Sequence, residues 1–227
     1  AGDGLRGLGD RSVFQYNTIK NCYDVNGNHD DGFQSYSRTD EGVGKGEVEG
    51  IVLRGNTIIN FEDPNQPHRG ALQGIGCFDG MFVDWVVENN VIIVDHYHGI
   101  TLLGARDCRI ANNTVVEAKS GRPGPPAIRV SAHKNGTPST GCVLINNIAP
   151  SVRAQEGGAN IVDHNVESTD TAALFVNAQE HDLRLRPGSP AIDAATSERA
   201  PTLDRNKPPR PQGKALDAGA YEYAAQQ

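Results

Sequence analysis

The segment Trp85-Val86-Val87-Glu88-Asn89-Asn90-Val91-Ile92-Ile93 decides the reading of the fold. Trp85 and Val87 stand two apart, the spacing of a strand with one buried face, and a short β-branched run follows the asparagine. The same plan recurs in SVFQYNTI (12–19), IVLRGNTII (51–59), CRIANNTVV (108–116) and CVLINNIAP (142–150), with a weaker copy in IVDHNVE (161–167). Asn17, Asn56, Asn90, Asn113, Asn147 and Asn165 are therefore separated by 39, 34, 23, 34 and 18 residues, a unit near 23 carrying insertions. Self-similarity at such a period is the signature of a solenoid. Asparagine tolerates left-handed backbone, so each ladder position is expected to form a tight corner whose amide bonds to the next copy.

A further strand family precedes each asparagine segment: GFQS (32–35), GIGC (74–77), GITL (99–102) and AIRV (127–130). Phe33, Ile75, Ile100 and Ile128 share one phase and are expected to stack in a core. Gln34, Gly76, Thr101 and Arg129 take the opposite phase and face outward.

Three strands per repeat with an asparagine corner resemble the right-handed parallel β-helix of the pectate-lyase-like superfamily, over roughly residues 10–170. The expected class is all-β: a right-handed single-stranded parallel β-helix of about six coils over residues 1–177, with an irregular C-terminal cap over 178–227. The tail, DLRLRPGSPAID (182–193) and DRNKPPRPQGKALDAGAYEY (204–223), is rich in Pro and Gly and is similar to the one that closes many secreted bacterial β-helix proteins. Open solenoid ends expose strand edges, so this tail is expected to cover one. Asp193, Asp204 and Asp217 read as turn-forming carboxylates or cation ligands. Residues 1–10 contain no comparable cap, which points to missing upstream coils, or to an end-to-end or oligomeric contact there.

A chain of 227 residues, 37% hydrophobic and with 26 Gly and 13 Pro, suits one elongated domain of short strands and tight turns. The net charge of −7, without a basic cluster, argues against nucleic acid. No run of about 18 apolar residues exists to span a membrane. Cys22, Cys77, Cys108 and Cys142 lack CxxC spacing, so no metal site is expected of them. Cys108 and Cys142 hold equivalent positions and are expected to stack in the core, as thiols or as a disulfide.

The insertions border one strand family. Ser37–Gly50 and Ala132–Gly141 follow it; Phe61–Leu72, Asp95–Tyr97 and Glu117–Pro125 precede it. They would wall a groove fit for a chain-like ligand. Asp30 and Asp31 enter the first such strand, Asp79 leaves the second, His96 and His98 enter the third, and Arg129 projects from the fourth. These six are the candidate catalytic residues, with Gln34, Tyr36, Thr101, His133 and Lys134 as candidate substrate contacts. Register aligns Asp31, Gln73 and His98. Each also has a plain reading, because Asp-Gly and His-Gly are ordinary turn chemistry.

HDDGFQSYS (29–37) and HYHGITLLG (96–104) resemble the paired-aspartate and GHG segments of polygalacturonases. The third aspartate segment and the Arg-Lys motif of that family are not evident, nor is the Asp-Pro-His motif of mannuronan epimerases. Resemblance to the wider superfamily implies a secreted or cell-surface bacterial protein whose partner is polysaccharide. Lyase or epimerase chemistry wants a base and a cation or Arg to neutralise a carboxylate, roles open to His96 or His98 and to Arg129. Hydrolysis wants two carboxylates. Acidic corner pairs are candidates for Ca²⁺, without a DxDxDG loop. The reading of a different class is a non-catalytic structural or carbohydrate-binding module, a fragment of a larger surface or tailspike-like protein.

Overall fold

In the computed structural model, residues 2–63, 65–118 and 122–224 are described. Nearly all regular structure is β. The first sheet contains Leu5–Arg6, Asp30–Tyr36, Leu72–Asp79, His98–Leu103, Ala127–Ser131 and Val152–Ala154. The second contains Val13–Gln15, Val52–Arg54, Val86–Glu88, Arg109–Ala111, Val143–Ile145 and Ile161–Asp163. The third contains Thr18–Lys20, Thr57–Ile59, Val91–Val94, Thr114–Glu117, Ile148–Ala149 and Val166–Glu167. The chain visits first, second and third sheet in turn and then returns, and every pairing within them is parallel. That order is consistent with a parallel β-helix.

Successive passes superpose their inward side chains. Phe33, Ile75, Ile100 and Ile128 are register partners on the first sheet, as expected from their phase. They meet Leu53, Val87, Ile110 and Leu144 of the second sheet and Ile58, Ile92 and Val115 of the third in one core. A fully buried side chain such as Ile100 contributes about 1.5–3 kcal/mol. Trp85 is wholly buried and donates from its indole N–H to the Val48 carbonyl, 2.8 Å. Cys108 and Cys142 lie side by side as buried free thiols, since Arg109 pairs with Val143.

The asparagine ladder is continuous. Side-chain amides donate to the next side-chain oxygen from Asn17 to Asn56 (2.9 Å), Asn56 to Asn90 (3.0 Å), Asn90 to Asn113 (2.9 Å), Asn113 to Asn147 (3.0 Å) and Asn147 to Asn165 (2.9 Å). One expectation is corrected: the left-handed residue is the one before each ladder asparagine. Tyr16, Gly55, Asn89, Asn112, Asn146 and His164 carry φ of 55°, 65°, 56°, 54°, 57° and 50°. The Asn-Asn doublets thus divide the labour. The first asparagine accepts the strained backbone, and the second makes the ladder.

The tail packs against the third sheet from outside. Leu174, Phe175, Leu183, Leu185, Ala191, Ala218 and Ala220 pack on the outward face of the third sheet, against Ile59, Val91, Ile93, Val116 and Ile148. That face is apolar because β-branched residues fill both phases of the post-asparagine strands, and it must be covered. The first member of each doublet anchors the tail: Asn146 donates to Thr196 O (2.8 Å), Asn112 to Asp217 O (3.0 Å) and Asn89 to Leu203 O (2.8 Å). Asp193, Asp204 and Asp217 accept from the backbone amides of Ala215, Asn206 and Asp193, which is turn chemistry. Arg210 and Glu222 form a buried ion pair at 2.5 Å, their side chains 0% and 1% exposed.

Candidate functional site

The first sheet's outer face carries the candidate chemistry, and a fault in strand alternation positions it. Strict alternation from Phe33 would send Asp31 inward. Instead Gly32, Gly74 and Gly99 aim inward together with the apolar residue after them. A Cβ on each would collide with Ile58, Ile92 or Val115 of the third sheet. Because the glycine has no side chain, two consecutive residues point to the core and the residue before them turns outward. Gly4 repeats the pattern against Ile19. Leu5 pairs with Phe33 and Gly4 N donates to Asp31 O (2.8 Å), which brings Asp3 into line with Asp31.

Asp3, Asp31, Gln73 and His98 thus form one outward column, about 4.8 Å apart along the sheet. Beside it runs a second: Arg6, Gln34, Gly76, Thr101, Arg129 and Arg153. Asp31 is fully buried. Its Oδ2 accepts from Gln34 Nε2 (3.0 Å) and lies 3.4 Å from His29 Nδ1. Its Oδ1 has no hydrogen-bond partner among the described residues and occupies the space that a Cβ on Gly76 would fill. Burial above all, with the charge of Asp3 added, pushes the Asp31 carboxyl up to about 7; the hydrogen bonds from Gln34 and His29 oppose that. Asp3 is held by Arg6 and accepts from the Asp31 amide at 3.3 Å. Gln73 Oε1, next in the column, is likewise buried without a partner.

His98 Nδ1 lies 2.8 Å from Thr101 Oγ1. Burial first, then His96, Arg129 and His29, lower the imidazole to about 4, so it is neutral at pH 7. His96 is lowered as well, mainly by burial. The rings of Phe78, Tyr97 and His96 lie 4.8, 4.2 and 5.1 Å from that of His98, and Phe78 also approaches His29 at 6.2 Å. They make a continuous aromatic surface beside the column. Arg129 is exposed and donates from Nε to Ser131 Oγ, 2.7 Å. A cleft of about 380 Å³ opens at the Asp3 end, lined by Asp3, Arg6, His29 and Gln34.

The expected residues separate into three places. Asp31, Gln34, Thr101, His96, His98 and Arg129 share the two columns and their edge, and Tyr36 lies beneath the Arg6 guanidinium at 5.8 Å. Asp79, His133 and Lys134 gather at a flank. There Lys134 Nζ contacts both Asp79 oxygens (2.8 and 2.9 Å) and Gly44 of the first insertion lies near both Asp79 and His133. Asp30 pairs with Leu72 at the start of the strand and lines the cleft at the Asp3 end of the column. Asp3 and Arg6 were not among the expected residues. Their signal was present, because DGL (3–5) repeats DGF (31–33), QGI (73–75) and HGI (98–100). The insertion Glu117–Pro125 includes residues 119–121, which lie outside the described residues.

Among the described residues no group of three or more His, Cys, Asp or Glu is arranged to hold a metal ion, and no helix is long and apolar enough to cross a membrane. Comparison with known protein families, curated proteins and solved structures finds no match to this chain.

Proposed function

We propose that the chain is a right-handed parallel β-helix of about six coils, of pectate-lyase-like type and secreted or displayed at a bacterial cell surface, whose first-sheet face acts on an acidic polysaccharide. The chemistry supported best is proton abstraction beside a uronate carboxylate. The observation that carries this reading is the placement of His98 on the outward column, beside the aromatic surface of Phe78 and Tyr97 and bonded to Thr101, whose register partner is Arg129. Burial keeps that imidazole neutral at pH 7, as a base must be.

In the proposed step, His98 takes the C5 proton of a uronate. The electron pair released forms a C4–C5 double bond, the C4–O4 bond breaks, and the departing oxygen takes a proton from water. Arg129, next to Thr101 in the second column, neutralises the substrate carboxylate. Return of the proton to the opposite face, without bond cleavage, would give epimerisation. The aromatic surface of Phe78 and Tyr97 stacks the sugar rings.

The test is incubation with a panel of uronate polymers while following absorbance of the unsaturated product, reducing ends and solvent proton exchange. Turnover is expected, falling about 10²–10⁴-fold in His98→Ala. A second reading, carbohydrate binding without turnover, is favoured by the same aromatic surface and by the mutual neutralisation of Asp79 and Lys134. No turnover on any polymer, with saturable binding lost in Phe78→Ala, would establish that reading instead.

A further inference from the structure

The outer face of the second sheet carries a polar cleft unrelated to the first-sheet columns. It encloses about 410 Å³ between the sheet and the tail residues Ala200–Leu203, within the range of about 300–1,000 Å³ usual for small-molecule sites. Its floor is a register column in which Gln15, Arg54 and Glu88 are neighbours. Glu88 is nearly buried, and both its oxygens are engaged, Oε1 by Arg54 Nε at 2.5 Å and Oε2 by Arg109 at 2.6 Å.

Arg54 differs from the other arginines that line or brace the tail. Arg109 gives its remaining reach to the Arg199 carbonyl, Arg205 bonds the Gly55 carbonyl, and Arg210 bonds Glu222 and Gly219 O. Arg54 uses only Nε. Its two terminal nitrogens carry no hydrogen bond among the described residues, and its side chain remains 39% exposed in the cleft. Lys207, whose ammonium lies 5.0 Å over the Tyr16 ring, adds charge at the rim. Two arginines thus share one carboxylate in the cleft, with Lys207 nearby over Tyr16, on a chain whose net charge is −7. Tyr16 and Leu203, each 42% exposed, supply an apolar wall.

We propose that this cleft binds a small organic carboxylate of roughly monosaccharide size. Its carboxylate takes the two free Arg54 nitrogens as a fork and its carbon skeleton lies against Tyr16 and Leu203. Parallel N–H donors match the two oxygens of a carboxylate, and the apolar wall selects a ligand with an organic body over a bare oxyanion. The site stands apart from His98 and does not depend on any turnover there.

The test uses the full chain titrated with D-glucuronate, with glucose and inorganic phosphate as comparators, followed by calorimetry and by NMR shifts. Saturable glucuronate binding is expected, weakened about tenfold or more in Arg54→Gln and less in Arg54→Lys. Glucose is expected not to bind. Urea midpoints establish that the variants fold; if Arg54→Gln does not, Arg54→Lys, which keeps the charge and loses the fork, carries the comparison. Absence of saturable binding, equal binding by the Arg54 variants and the native chain, or equal binding of phosphate would each overturn the proposal.

Discussion

Asp31 and His98 shift the stability of the protein in opposite directions with pH. The Asp31 carboxyl ordinarily releases its proton near 3.8 and in the folded chain near 7. Between those values the folded state holds a proton that the unfolded state has lost, so this group's stabilisation is complete below about 4 and disappears as pH rises to about 7. His98 ordinarily titrates at 6.5 and in the fold at about 4. Across that interval the unfolded chain binds the extra proton, so its contribution is present above 6.5 and disappears as pH falls. The two slopes oppose each other between about 4 and 6.5. Asp31→Asn removes one of them. Its urea midpoint is expected to climb from pH 4 to 6.5 and then level, whereas the native chain stays nearly flat and declines toward pH 7. Identical profiles for the two proteins would show that the Asp31 proton is not held by the fold.

At the scale of the element, the ladder and the glycine fault act together. Asn113 accepts from both the backbone and side-chain amides of Asn90 at 3.0 and 2.9 Å, and donates onward to Asn147 and to the Val87 carbonyl. Alanine there strands buried donors, each costing about 1–3 kcal/mol. Asn113→Ala is therefore expected to lower unfolding free energy by about 3 kcal/mol or more. Asn17→Ala should cost under about 1 kcal/mol, because Asn17 donates to Asn56 and no ladder neighbour donates to its oxygen. Denaturant titration of the pair checks both, and equal losses would contradict the ladder's directionality. Much of this was legible in the linear pattern, since a repeated Asn before a β-branched run implies its own superposition. The division of roles inside Asn-Asn was not. Backbone handedness and tail anchoring at Asn89, Asn112 and Asn146 leave no mark that separates them from the asparagine beside each.

At the scale of the whole molecule, the tail closes the third sheet's outer face and is locked by Arg210 and Glu222. Removing one partner of a buried pair leaves the other charge stranded, at a cost of about 3–5 kcal/mol. Glu222→Gln is expected to lose stability of that order and to expose the tail to limited proteolysis before the sheets unfold. A variant with native stability and an equally resistant tail would mean that the apolar contacts of Leu183, Leu185 and Ala218 suffice alone.

The chain's own pattern determined the parallel three-sheet order, the core columns and the alignment of Asp31, Gln73 and His98, because these follow from periods of two residues and of one repeat. Which of the aligned residues meet was decided only by the folded whole. Asp3 joins Asp31 across 28 residues and Lys134 reaches Asp79 across 55. Asn112 holds the tail at Asp217 across 105. Insertions of unequal length make those separations irregular, so no period announces them. Burial, which moves Asp31 and His98 in opposite directions, belongs to the packed sheet face and to no residue by itself.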